Sequence, residues 1–257
     1  MMHSSISRNK KPFTTIAVVI LVWQIASLFT PDIMLPGPLL TLRGISGFLQ
    51  SPEFYTALWY SLIKLVIGIG IAIVIGCGAG ILIGSMPKWY GYAEPIVDMM
   101  QSIPPISWLG ISMIWFGLTT GPTIFIIILA ATPILFINVY EGFAGIDKQL
   151  MQMGRLYQIP QKKILRHIIL PSLKIPFKSG LLVAAGLGWK LTIMGEHLTL
   201  AKGLGNLLSQ ARMNLEMYKV FAISLLIAFL WFGIKFVLIR LLDSSPNSSS
   251  KAKELTH

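Results

Sequence analysis

The 257-residue sequence reads as an all-α membrane protein with six transmembrane helices, and three observations lead there. Apolar residues make up 54% of the chain and charged residues only 12%, about half of the roughly 25% with which a soluble domain coats its surface. The apolar residues gather into runs of about 20, the length that crosses a hydrocarbon core of about 30 Å. The basic residues sit beside those runs and not in one long patch, so the net charge of +11 speaks to membrane topology and not to nucleic acid.

The six runs cover about 13–30, 57–85, 95–118, 122–139, 179–198 and 218–241. Lipid offers no hydrogen bonds, so each is expected to be helical, and the second is long enough to tilt or project. The first follows a basic start, as a signal peptide would. It runs into Pro31-Asp32 and Pro36-Gly37-Pro38 with no small-x-small cleavage pattern, and is read as a retained anchor. With the tail 1–12 in the cytoplasm, fifteen of the 21 Lys and Arg fall on the inner side. Four (Arg43, Lys202, Arg212, Lys219) fall outside and two (Lys64, Lys190) within spans. That bias puts both termini and residues 147–170 in the cytoplasm. It leaves 13–243 as the membrane domain and 244–257, rich in Ser and Lys, as a disordered tail.

Residues 147–170, DKQLMQMGRLYQIPQKKILRHIIL, form a polar, basic island between apolar runs. Ile146, Leu150, Met153 and Tyr157 recur at helical spacing, and Asp147 can cap the start. Pro160, after Gln158-Ile159, breaks this helix and suits the first turn of a second. Ile164, Leu165, Ile168 and Ile169 make the second stripe, opposite Lys162, Lys163, Arg166 and His167, and Pro171 is expected to end it. Two readings fit. An amphipathic helix on anionic lipid explains the basic face. A helix–turn–helix seated in a groove of a soluble partner also explains the break.

Within the spans, glycines at 76, 80 and 84 make a small-xxx-small face for close packing. Lys190 falls about 16 Å into its span, near the midplane. A charge there costs at least about 2.5–3.5 kcal/mol, so Lys190 is expected to face protein or water, either beside a structural partner or as an attractor for an anionic solute. Glu196 points to a different face, near the outer end where water could reach it, with His197 adjacent. Lys64 reads as a snorkelling side chain. Glu94 and Asp98, one turn apart, complement a helix dipole or form a carboxylate pair. Pro104-Pro105 interrupts the third run, as a plain kink or as the kind of break that lines transporter sites. Trp108 and Trp115 fit a pathway or ordinary packing. Cys77 has no second cysteine to pair with.

The chain lacks a G-x-x-x-x-G-K-[ST] phosphate loop, so it does not bind and split ATP by that route. Its histidines (3, 167, 197, 257) have no metal-ligand spacing, no nucleophile–base constellation stands out, and no internal repeat supports an inverted-repeat secondary transporter.

Several stretches, in order, resemble the membrane permease subunits of ABC importers, in particular the nitrate, sulfonate, taurine and thiamine-precursor group. They are Leu35-Pro36-Gly37-Pro38, Gln101-Ser102-Ile103-Pro104-Pro105-Ile106-Ser107-Trp108, Ile114-Trp115-Phe116-Gly117, Gly188-Trp189-Lys190 with Gly195-Glu196, Gly203-Leu204-Gly205 and Gln210-Ala211-Arg212. The likeness runs from Trp23 to about Asp243. It implies a type I ABC importer permease in a bacterial cytoplasmic membrane, paired with a second permease copy in a homodimer. It also implies two cytoplasmic ATPase subunits carrying ATP-Mg, an extracytoplasmic substrate-binding protein near 200–212, and no cofactor on this chain. ATPase coupling then falls to Asp147, Leu150, Gln152, Met153, Gly154, Tyr157, Gln158, Pro160, Ile164 and Pro171. The pathway candidates are Gln101, Pro104, Pro105, Trp108, Trp189, Lys190 and Glu196. The family's Glu-Ala-Ala…Gly pattern is replaced here, with Gln152-Met153-Gly154 in place of Glu-Ala-Ala and Gln158 in place of the glycine. The competing class is an ion-coupled secondary transporter or channel without an ATPase. A membrane enzyme using Glu94 and Asp98 is a third.

Overall fold

The computed structural model describes residues 11–158 and 160–243; residues 1–10 of the first expected tail, the whole of the second (244–257) and Ile159 lie outside the described residues. Eleven helices follow one another. They are α1 Lys11–Leu28, α2 Pro38–Gln50, α3 Pro52–Ser85, α4 Tyr90–Ser102, α5 Pro105–Phe116, α6 Gly121–Ala144, α7 Lys148–Leu156, α8 Gln161–Ile164, α9 Leu170–Thr199, α10 Leu204–Met213 and α11 Met217–Asp243. Prolines open α2, α3 and α5, where a missing N–H costs nothing. Ser51 caps α3 by accepting from the Glu53 amide at 3.2 Å.

Four helices among the described residues are long and apolar enough to span a membrane: α3, α6, α11 and the continuous stretch Lys162–Thr199 that joins α8 to α9. The apolar part of α1, Thr14–Leu28, and α5 are shorter. The expected third run is not one kinked helix. It is α4 and α5, separated where Ile103 and Pro104 turn extended (ψ 125° and 134°). The reason is local: residues before proline are pushed out of the α region, and two prolines in tandem repeat the effect.

Pro171 does not end the second cytoplasmic helix, contrary to expectation. Residues Leu165–Ile169 form one wide π turn, in which the Leu170 amide donates to the Leu165 carbonyl, and the helix runs on into α9. An α turn would drive the proline ring into the carbonyl four residues back; the wider turn makes room for it. The span expected at 179–198 therefore starts at least nine residues earlier, at Leu170.

At the centre α3 and α6 lie side by side and run the same way. Gly68 faces Ile127, Gly76 faces Thr132 and Leu135, Gly80 faces Phe136 and Val139, and Gly84 faces Phe143. The close-packing reading of the glycine face thus holds. Helix α9 runs antiparallel to both, with Gly180 on Asn138, Gly188 on Ile127 and Leu65, and Gly195 on Thr123. Helix α11 packs antiparallel to α9: Trp189 Nε1 donates to the Ile227 carbonyl at 3.2 Å and Lys178 pairs with Asp243 at 2.5 Å. The starts of α3 and α6 and the ends of α9 therefore share one end of the bundle with α10. The α7–α8 segment occupies the other.

Helix association in lipid relies on dispersion and close approach, because lipid tails are as apolar as leucine. A Cβ on Gly76 would lie 2.7 Å from the Thr132 carbonyl oxygen, whereas one on Gly78 meets nothing within 4 Å. Gly76→Ala is therefore expected to destabilise by about 1–3 kcal/mol and Gly78→Ala to leave stability unchanged, as read by thermal unfolding in detergent.

Candidate functional site

Three places on this frame carry chemistry. The first is a cavity of about 140 Å³ at the α4–α5 break, lined by Met100, Gln101, Ile103, Pro105 and Trp108 with Ile126, Leu129, Ala130 and Ile134 of α6 and Leu187 of α9. That is room for a small solute; an engineered apolar cavity of about 150 Å³ holds benzene. The α6 residues in its wall belong to the middle turns of that helix, so the cavity lies within the depth of the bundle. Trp108 Nε1 is buried without a hydrogen-bond partner among the described residues. A buried orphan donor is costly, and here it stands in the first turn of α5, whose N-terminal end favours negative charge. Gln101, Pro105 and Trp108 thus meet at one cavity, with Pro104 in the break beside it.

The other pathway candidates lie elsewhere. Trp189 is buried and locks α9 to α11. Lys190 is exposed on α9, about 14 Å from the helix end, and its ammonium has no partner among the described residues. Glu196, expected near water, is 0% exposed. Its partner is Lys64, which does not snorkel: it is 2% exposed and reaches a Glu196 oxygen at 2.8 Å.

That pair anchors the second place. Ser61 Oγ donates to the Glu196 carboxylate at 2.8 Å and accepts from the Leu204 amide at 3.0 Å. The Gly205 amide donates to the same carboxylate at 3.0 Å. Lys64 Nζ also donates to the Lys202 carbonyl. One buried carboxylate thereby ties α3, α9, the 200–203 loop and the start of α10. Glycine is obligatory at both 203 and 205: Gly203 has φ 154°, and a Cβ there would sit 2.1 Å from the Glu196 carboxylate. A Cβ on Gly205 would lie 2.2 Å from the Ile193 carbonyl oxygen. The Lys64–Glu196 pairing was legible in principle, since one lysine and one glutamate in apolar spans seek each other. The distance of 132 residues between them hid it.

The third place is the α7–α8 segment. Asp147 Oδ1 accepts from the Gln149 amide at 2.8 Å and caps α7. Ile146, Ile164 and Ile169 are buried against Val139 and Leu173, which fixes α8 and the π turn to the bundle. The α7 stripe is not so covered: Leu150, Met153 and Tyr157 are 47%, 53% and 71% exposed. Gln158, just past the end of α7, has a left-handed φ of 50°, and the next helix begins at Gln161, after Pro160. Glu94 and Asp98 are exposed on α4, and because that helix starts at Tyr90, Glu94 sits beyond the first turn where a dipole acts.

Removing one member of a buried ion pair strands the other charge. Lys64→Met or Glu196→Leu alone is expected to cost about 3–5 kcal/mol and the double variant distinctly less than the sum, in a thermal-unfolding double-mutant cycle. A non-glycine residue pays about 1–2 kcal/mol for a left-handed conformation. Gln158→Gly should therefore lower amide hydrogen exchange across 148–164, and Gln158→Val should raise it.

The chain is similar to several known proteins. The taurine transport system permease protein TauC of Escherichia coli is 26% identical over 205 residues, 77% of this chain and 74% of that protein. A putative aliphatic sulfonates transport permease protein, SsuC of Bacillus subtilis, is 24% identical over 80% of this chain and 75% of its own length. The nitrate import permease protein NrtB of Synechocystis is 26% identical over 76% of this chain and 74% of that protein. Among solved structures, an inward-facing form of the MetNI methionine ABC transporter superposes with a TM-score of 0.62 at 20% identity, covering 76% of this chain and 97% of that one. The profile of the binding-protein-dependent transport system inner membrane component family matches residues 68–245, and the chain belongs to that family.

Proposed function

We propose that this chain is the membrane-spanning subunit of an ATP-driven importer that moves a small solute, a sulfonate, a nitrate-like anion or a vitamin precursor, delivered by a substrate-binding protein. The observation that carries the coupling part is the open apolar face of α7, held at one end of the bundle by a capped start and by the buried Ile164 and Ile169 behind it. In water such a face needs cover, and a cleft on a soluble ATPase offers it. ATP-Mg is held by that partner. The α8–α9 continuity supports a rigid lever: a push on 147–170 is transmitted along one helix to Lys190 and Glu196.

Lys190 supports pairing of two copies. A partnerless ammonium at that depth is too costly against lipid, so its face meets a second permease or the watery path between them. The taurine, sulfonate and nitrate named for the relatives share an oxyanion, which suits the free Trp108 N–H, the α5 N-terminus and Lys190. Both termini and α7–α8 then lie in the cytoplasm, and the α10 end faces outward. The ion-coupled alternative has no support in the family or the fold.

Two measurements test this reading. Leu150→Glu with Met153→Glu is expected to abolish co-purification of the ATPase while the chain's melting temperature stays unchanged; retention of the ATPase overturns the docking assignment. Trp108→Phe removes the N–H while keeping an aromatic ring. It is expected to raise the KM for nitrate, ethanesulfonate or taurine, whichever is transported in proteoliposomes, by about 10- to 100-fold, the worth of a hydrogen bond to a charged acceptor. An unchanged KM removes Trp108 from the pathway.

A further inference from the structure

At the α10 end of the bundle a second cavity, of about 380 Å³, opens between the start of α3 and α10. It lies within the size range of small-molecule sites. Glu53 and Lys202 both line it, and both are exposed. They do not pair with each other. The Glu53 carboxylate has no partner among the described residues, and the Lys202 ammonium has only the Tyr60 ring, 5.8 Å from its centroid. Opposite charges on one small concavity that leave each other alone form a receptor for a molecule carrying both signs.

The wall that bears Lys202 is unusually fixed for a loop. Its carbonyl accepts from Lys64 Nζ, its neighbour Gly203 lies against the Glu196 carboxylate, and Leu204 and Gly205 donate into the same buried cluster. Gln210, also in the wall, donates to Asn206 Oδ1 at 2.7 Å, and its own carbonyl oxygen has no partner among the described residues. A site on a rigid frame loses less on binding, because its groups are ordered beforehand.

We infer that this cavity is a receiving site for a small zwitterion, with the anionic group at Lys202 and the cationic group at Glu53. Tyr60 supplies the apolar wall between them, and the buried Lys64–Glu196 pair holds the Lys202 backbone in place. The site is separate from the α4–α5 cavity and needs neither ATP nor transport.

The test is equilibrium binding to the full chain with its partner subunits in lipid nanodiscs, with no binding protein and no nucleotide, using 2-aminoethanesulfonate, ethanesulfonate and ethylammonium as probes. The zwitterion is expected to bind saturably, and each half-molecule at least tenfold more weakly. Glu53→Gln should reduce the zwitterion to the affinity of ethanesulfonate. Lys202→Gln should weaken both sulfonates. Lys88→Gln, at the other end of the bundle, should change nothing. All three are surface positions, and matching melting temperatures show that the variants fold. Equal affinities for zwitterion and ethanesulfonate, indifference to Glu53→Gln, or binding that emerges only with the binding protein present would each overturn the assignment. In the last case the two charges serve protein docking. Since the readout is binding alone, a negative result leaves the ATPase-coupling and Trp108 tests unaffected.

Discussion

Two charges removed from water lose several kcal/mol of hydration each, and only close geometry with further hydrogen bonds returns it. In this chain Lys64 and Glu196 meet that requirement at one point, with Ser61, the Lys202 carbonyl and the amides of Leu204 and Gly205 filling the remaining positions. The arrangement leaves little freedom. It sets the depth of α9 against α3, and it obliges glycine at 203 and 205 because the carboxylate and the Ile193 carbonyl occupy the space of any side chain. It also fixes where the 200–203 loop can run. Hydrophobic contact does not discriminate strongly between registers of helices in lipid. A single ion pair does, because every shifted register leaves a charge unpaired in an apolar surround.

The glycine contacts do for spacing what the ion pair does for register. They let α3 and α6 pack in parallel with backbone against side chain, and α9 close against both. On such a rigid three-helix centre, a break in the neighbouring α4–α5 element can be tolerated without loss of the fold. A cavity opens at the break, and the Trp108 N–H is left without a partner among the described residues. An unsatisfied donor next to a helix N-terminus is a poor choice for stability alone.

The opposite end of the molecule follows a different rule. Helix α7 is short, capped by Asp147 and joined through a left-handed Gln158 to a helix that a π turn carries past Pro171 into α9. Its apolar residues are exposed where the α8 residues are covered. A continuous helix thus stands behind an uncovered apolar face. The helix α7 forms with Gln152, Met153 and Gly154 in it and Gln158 beyond its end.

Much of this was legible from the sequence. Apolar run length and charge placement gave a helical membrane protein, because lipid permits no other economical use of such runs. Helical spacing and Asp147 gave α7, and the tandem prolines marked the interruption after Ser102, since these depend on local sterics and nearest neighbours. The ordered short motifs gave the family. What local rules could not supply was who meets whom across 132 residues: Lys64 looked like a snorkelling end and Glu196 like a wetted one until α3 and α9 were laid side by side. Nor could they show that Pro171 would be absorbed and not obeyed, because a π turn is chosen only when packing on both sides holds the helix straight. Partner choice among distant charges, and the cavities left between helices, are properties of the assembled bundle, and only the tertiary structure decided them.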